Sequence, residues 1–184
     1  MNANESLNKL KEGNRRYLTV ADRIGDISEE IRRETAANGQ HPFATVVACS
    51  DSREIPEAIF SCGIGDIFVI RVAGNVVDET VLGSIEYAAN YLGSPLTVIL
   101  GHTHCGAVAS AISGGTGGYI KKITDQISAA IGDEQDEIKA SCLNAERTVH
   151  VIRASFEKHS SLAGIKVVGA IYDIETGVVE FKDF

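Results

Sequence analysis

The chain lacks any apolar run long enough to cross a bilayer, and its opening stretch, MNANESLNKLKEGNRRYL, lacks the apolar core of a secretion signal. The cytoplasm is therefore the expected location, and no membrane partner is expected. Basic residues are in deficit: 17 Lys and Arg against 25 Asp and Glu leave a net charge of −8. Nucleic acids and anionic membrane surfaces require a basic face, so neither fits. A small anionic substrate stays open, because a few arginines or a metal ion can hold one in an acidic protein. The four cysteines, Cys49, Cys62, Cys105 and Cys142, form no CxxC pair. Without a secretory context they read as reduced thiols or metal ligands rather than a disulfide framework. The glycine-rich SGGTGG (113–118) lacks the Gly-Lys-Ser/Thr ending of a P-loop, and no GxGxxG follows a strand, which leaves a nucleotide site unsupported.

What is present is one domain's worth of chain, 184 residues with 44% hydrophobic content. Residues 5–18 place Leu7, Leu10 and Leu18 among charges and predict a surface helix. Glu29 to Ala37 predicts a second, with Ser28 as N-cap and Gly39 as the stop. Both are too polar for a core, so Leu7, Leu10, Tyr17, Leu18, Ile24 and Ile27 imply an arm packed on the main domain or on a partner subunit. From Phe43 the pattern changes to short β-branched runs at 43–48, 67–73, 96–101 and 164–173, the signature of strands buried on both faces and usually parallel. Helical stretches at 81–92, 119–131 and 134–158 separate them, and 178–181 predicts a final hairpin strand after the turn at Gly177. The expected fold is α/β: a mainly parallel central sheet of about five strands flanked by helices, with residues 1–40 as a helical arm and 41–184 as the core of a single domain.

The unusual residues fall just beyond predicted strand ends. Cys49, Asp51 and Arg53 follow the first core strand, Gly74 and Asn75 the second, and His102, His104 and Cys105 the third. Open parallel sheets bind ligands outside the carboxyl ends of their strands, at a switch in strand order. Two cysteines with one of the histidines, His102 or His104, make a donor set found in catalytic zinc sites, where a fourth position stays open to water. Either cysteine alone is equally readable as a small buried hydrophobe; Cys62 and Cys142, with no such company, are read that way. Asp51 and Arg53 are spaced for a bidentate carboxylate–guanidinium pair. Such a pair can keep Asp51 ionised to accept a hydrogen bond from metal-bound water, or Asp51 can swing onto the metal and fill the open position. A zinc-bound hydroxide, formed because zinc lowers the pKa of its water to about 7, suits a small neutral electrophile better than a peptide.

Taken in order, CSDSR (49–53), FVIRVAGN (68–75), SIEYA (84–88) and GHTHCG (101–106), with LKEGNRRYL (10–18) before them, resemble the β-class carbonic anhydrases over nearly the whole chain. The resemblance implies Cys49, His102 and Cys105 as ligands of one zinc ion per subunit and Asp51–Arg53 as the catalytic dyad. It makes His104 a near-site residue without a catalytic role. It also implies substrate-binding positions at Gln40, Phe68, Tyr87 and Gly106, with Gln40 acting across a subunit boundary in a homodimer or homotetramer. The implied activity is reversible hydration of carbon dioxide to bicarbonate. Hydrolysis of carbonyl sulfide or carbon disulfide on the same site is one alternative, and a zinc- or anion-binding module without turnover is another. Two positions depart from the family: Val72 replaces an asparagine common after the second strand. Val46 stands where some bacterial members have a tryptophan that helps form a non-catalytic bicarbonate pocket, so that pocket is not expected although Arg71 keeps the family's arginine position.

Overall fold

The computed structural model describes residues 1–20, 24–115, 117–158, 162 and 164–184. Five strands, β1 (Ala44–Ala48), β2 (Ile67–Arg71), β3 (Leu96–His102), β4 (Lys166–Tyr172) and β5 (Val179–Lys182), form one sheet in the order β2-β1-β3-β4-β5. The first four run parallel and β5 closes an antiparallel hairpin with β4. Each predicted strand forms with ends moved by no more than two residues. From β1 the chain steps to β2 on one side and then returns to place β3 on the other. The carboxyl ends of β1 and β3 thus form the switch point in strand order, the place where open parallel sheets bind ligands.

Side chains alternate along the buried strands and build a core on each face. Val46, Val98 and Leu100 point to one side, where Leu10, Ile59 and Phe60 cover them. These come from α1 (Ala3–Thr19), α3 (Pro56–Ile59) and the residue after it. Val47, Ile99 and Ile171 point to the other side, against Val81 and Ile85 of α4 (Glu79–Asn90) and Val149 and Ile152 of α7 (Glu137–Phe156). Each such aliphatic side chain contributes about 1.5–3 kcal/mol on leaving water.

The predicted arm divides in two. Helix α1, capped by Asn2 and Glu5 in a reciprocal box, sinks Leu10 fully into the core. It lies so close to α3 that a Cβ on Gly13 would sit 1.9 Å from the Phe60 carbonyl oxygen. Asn14 fastens it by donating to the carbonyls of Ile59 and Gly177 and accepting from the Val179 amide. Helix α2 (Glu29–Asn38), capped by Ser28 and ended at Gly39 as predicted, buries none of its residues within the protomer; Ile24 and Ile27 before it are also exposed. Two short helices were not foreseen. Helix α3 is one turn started by Pro56, and α5 (Gly106–Ile112) begins directly after Cys105. Helix α6 (Lys121–Ile131) completes the crossover from β3 to β4 ahead of α7. Among the described residues no helix is long and apolar enough to cross a membrane.

Candidate metal centre

Cys49 is the first residue beyond β1, His102 is the last of β3, and Cys105 caps α5. All three are buried, and their ligating atoms lie within 4.8 Å of one another. No other group of three or more such side chains meets this spacing among the described residues. His102 Nδ1 lies 2.8 Å from the Thr103 carbonyl oxygen, to which it donates. That bond leaves Nε2 as the lone-pair nitrogen, and Nε2 is buried without a hydrogen-bond partner. A polar atom in that condition is costly unless something is to be bound there.

The thiols show the same want of a cation. The Cys105 thiol, hydrogen-bonded to the Cys49 sulfur, holds Cys49 well below the ordinary thiol range against the effect of burial; His102 and the Gly74 amide add to this. Cys105, as donor to that thiolate and buried besides, is pushed up. Burial opposes charge on His102, yet its contact with Cys49 and the nearby Glu54 raise its pKa overall. Two buried sulfurs and an imidazole nitrogen within 4.8 Å of one another suit a soft divalent cation such as zinc.

The backbone around Cys49 is held from several directions. Gly74 donates its amide to Cys49 Sγ at 3.1 Å from a left-handed conformation (φ +68°). A Cβ at Gly74 would lie 2.7 Å from Ile127 Cδ1. Asn144, buried on α7, donates Nδ2 to the Gly74 carbonyl at 2.7 Å. Arg71 at the end of β2 donates Nε to the Cys49 carbonyl at 2.9 Å and Nη2 to the Asp51 carbonyl at 2.7 Å. Glu54 is fully buried and accepts the Cys49 amide at 2.8 Å. Desolvation pushes its carboxyl up to about 8.

Asp51 rests on Arg53. Its Oδ1 accepts from Arg53 Nε at 2.9 Å and from the Arg53 amide at 3.0 Å, and its Oδ2 accepts from Nη2 at 2.8 Å. Arg53 beside it holds the Asp51 carboxyl well below the usual carboxylate range. The guanidinium also donates to the His104 carbonyl at 3.0 Å, linking the two motifs through a backbone group. His104 itself adopts φ +56° and its exposed ring approaches Glu175, with Nε2 3.6 Å from Oε1. It stands outside the donor group.

The structure therefore brings Cys49, His102, Cys105, Asp51 and Arg53 together. Gly106, at the first position of α5, adjoins them, and a Cβ there would meet nothing within 4 Å. Gln40 and Tyr87 instead line a different cleft, of about 540 Å³, between α2 and α4. Phe68 lies beside Tyr87, with ring centroids 6.2 Å apart and the planes tilted by 45°. Glu54, Asn144 and the Gly74 amide were not foreseen, and Arg71 only as a family position. None carries a spacing signal, because each acts through a tertiary contact.

A parallel α/β sheet with a buried Cys–His–Cys set at its switch point, and a carboxylate–guanidinium pair beside it, defines a candidate metalloenzyme. Residues 44–179 match the family model described as carbonic anhydrase. Carbonic anhydrase 2 of Mycobacterium tuberculosis is 39% identical over 188 residues, covering 95% of this chain and 90% of that protein. A carbonic anhydrase of Mycolicibacterium smegmatis is 36% identical, covering 94% and 90%. Among solved structures, a tetrameric β-carbonic anhydrase of Sordaria macrospora is similar with a TM-score of 0.72 at 29% identity, covering 85% of this chain and 88% of that one. The chain belongs to the β-carbonic anhydrase family, enzymes whose general reaction is the hydration of carbon dioxide.

Proposed function

We propose that this protein binds one zinc ion per protomer through Cys49, His102 and Cys105 and catalyses reversible hydration of carbon dioxide to bicarbonate and a proton. The observation that carries this reading is the buried donor set, with its unpartnered His102 nitrogen, beside an Asp51 carboxylate engaged by Arg53 rather than gathered among the donors. Zinc supplies Lewis acidity there, enough to bring the pKa of a water it binds to about 7.

The chain's own residues do the rest. Asp51, ionised across the neutral range, accepts a hydrogen bond from the attacking water and so aims its lone pair at the substrate carbon. The pairing with Arg53 makes Asp51 too weak a base to keep the released proton, which passes on to buffer. Gly106 presents backbone, without a side chain, to the bound product. Gln40, Phe68 and Tyr87 form the remaining substrate wall for the site of a second copy. Supporting this are the half-exposed Tyr87, the partly exposed apolar edge strand β2 and helix α2, which buries none of its residues within the protomer. The assembly is a homodimer or homotetramer, its substrate the neutral gas and its anion, and its location the cytoplasm. Each protomer works as one domain, with residues 1–40 as an arm on the core.

Metal analysis of the purified protein, paired with assays of carbon dioxide hydration and of sulfide release from carbonyl sulfide and carbon disulfide, tests the reading. Stoichiometric zinc with rapid hydration and little sulfide is expected. Zinc with sulfide release and negligible hydration would move the protein to the sulfur substrates. Zinc with neither would leave a binding module.

A further inference from the structure

Glu54 is 0% accessible; its Oε2 accepts the Cys49 amide, and its Oε1 is buried without a hydrogen-bond partner. Burying a carboxyl group with one oxygen unsatisfied is expensive, and an apolar side chain of equal length would fill the same space at less cost. What an apolar side chain cannot do is accept a hydrogen bond. The Cys49 amide lies just past the end of β1, and Glu54 provides its acceptor.

The surrounding contacts show why that amide matters. Arg71 grips the Cys49 carbonyl on the other side of the residue and the Asp51 carbonyl two positions on. The Glu54 amide in turn donates to the Asp51 carbonyl at 3.0 Å, closing the turn that carries both a metal donor and the dyad carboxylate. With its amide held by Glu54 and its carbonyl by Arg71, Cys49 has both peptide groups fixed, and its Cα–Cβ bond then has one direction. A thiolate ligand must meet its metal within a few tenths of an ångström, so the peptide orientation bears directly on affinity.

We propose that Glu54 is a positioning residue of the metal centre, whose Oε2 is the acceptor that fixes the Cys49 peptide and so aims the Cys49 sulfur. This rests on the zinc reading above. Glu54 is not among the donors, and its hydrogen bond to the centre runs to the Cys49 amide.

Two variants separate acceptor from filler. Glu54→Gln keeps a carbonyl oxygen at the same reach, while Glu54→Met keeps length and bulk without an acceptor. Zinc affinity is read by chelator competition, and the ligand geometry by the thiolate-to-metal absorption of the cobalt-loaded protein, with circular dichroism to monitor the fold. Glu54→Gln is expected to bind zinc within about threefold of wild type, and Glu54→Met to lose roughly 10–100-fold, the loss typical when a ligand's supporting hydrogen bond is removed. Wild-type affinity in Glu54→Met would reduce Glu54 to a space filler and overturn the proposal. Equal losses in both variants would also overturn it, since the acceptor oxygen would not be what matters. If Glu54→Met fails to fold, Glu54→Leu takes its place as the variant without an acceptor and is read against Glu54→Gln by the same criteria. Absence of zinc from the wild-type protein would strike the zinc reading itself and is distinguished by that control.

Discussion

Gly74 offers a quantitative test of how the metal loop is held, because three separate effects converge on one missing methyl group. Its φ of +68° costs a non-glycine residue about 1 kcal/mol or more. The added Cβ of Gly74→Ala would lie 2.7 Å from Ile127 Cδ1 and 3.1 Å from the Ala107 Cβ. Overpacking of that kind costs about 1–3 kcal/mol, the lower end if the Ile127 methyl swings aside. Together the native state should lose about 2–4 kcal/mol, a large share of a typical total of about 5–15. Any backbone shift that relieves the clash also moves the amide off Cys49 Sγ, so zinc affinity should fall together with stability. Urea denaturation of the zinc-free protein gives the first quantity and chelator competition the second. Gly83, on the exposed face of α4 with nothing within 4 Å of its Cβ position, serves as the comparison. Gly83→Ala should be neutral or stabilising by about 0.5–1 kcal/mol. A Gly74→Ala protein within 0.5 kcal/mol of wild type, with unchanged zinc affinity, would refute the packing argument.

Other perturbations follow from the same contacts. Arg53→Ala should return the Asp51 pKa toward its ordinary value and free the carboxylate to rotate, lowering kcat/KM roughly 100-fold while zinc content stays at wild type; unchanged kinetics would remove the dyad. Asn14→Ala deletes three hydrogen bonds that tie α1 to α3 and the β4–β5 hairpin, and should cost about 2–4 kcal/mol in urea melts; a cost below 0.5 would show α1 to be held by its apolar face alone. Burial pushes the Cys62 thiol up to about 12 from an ordinary 9.0. Between those values the unfolded chain has released a proton that the native chain keeps. Stability should therefore be unaffected at pH 7 and fall as pH rises through that window, by up to about 1.4 kcal/mol per pH unit from this group. Cys62→Ala should flatten the decline measured between pH 9 and 10.5, and an identical slope in the variant would contradict the burial argument.

The sheet was legible because its strands are nearly continuous apolar runs, the pattern that goes with the burial on both faces seen throughout β1 and β3. The hairpin was legible from the turn at Gly177, and α2 from Ser28 and Gly39. Helices α3 and α5 were not, since four and seven residues give no periodic face to read. The fate of the arm's apolar residues was equally hidden: Leu10 sinks into the core while Ile24 and Ile27, of the same chemistry, remain exposed. The donor set stood out because its members cluster at strand ends. Residue type could not choose between His102 and His104; backbone conformation does, ending β3 inward at His102 and turning outward at φ +56° for His104. Asn144 and Gly74 are 70 residues apart and Glu54 resembles any loop glutamate, so their grip on Cys49 exists only in the folded chain.

The central claim is that Cys49, His102 and Cys105 hold the zinc on which carbon dioxide hydration depends. Stopped-flow hydration with zinc-replete, zinc-stripped and Cys49→Ser protein tests it most directly. Fast hydration that disappears on stripping, returns with one equivalent of zinc and is absent from Cys49→Ser is the predicted result. A Cys49→Ser protein that kept both its zinc and full activity would contradict the account.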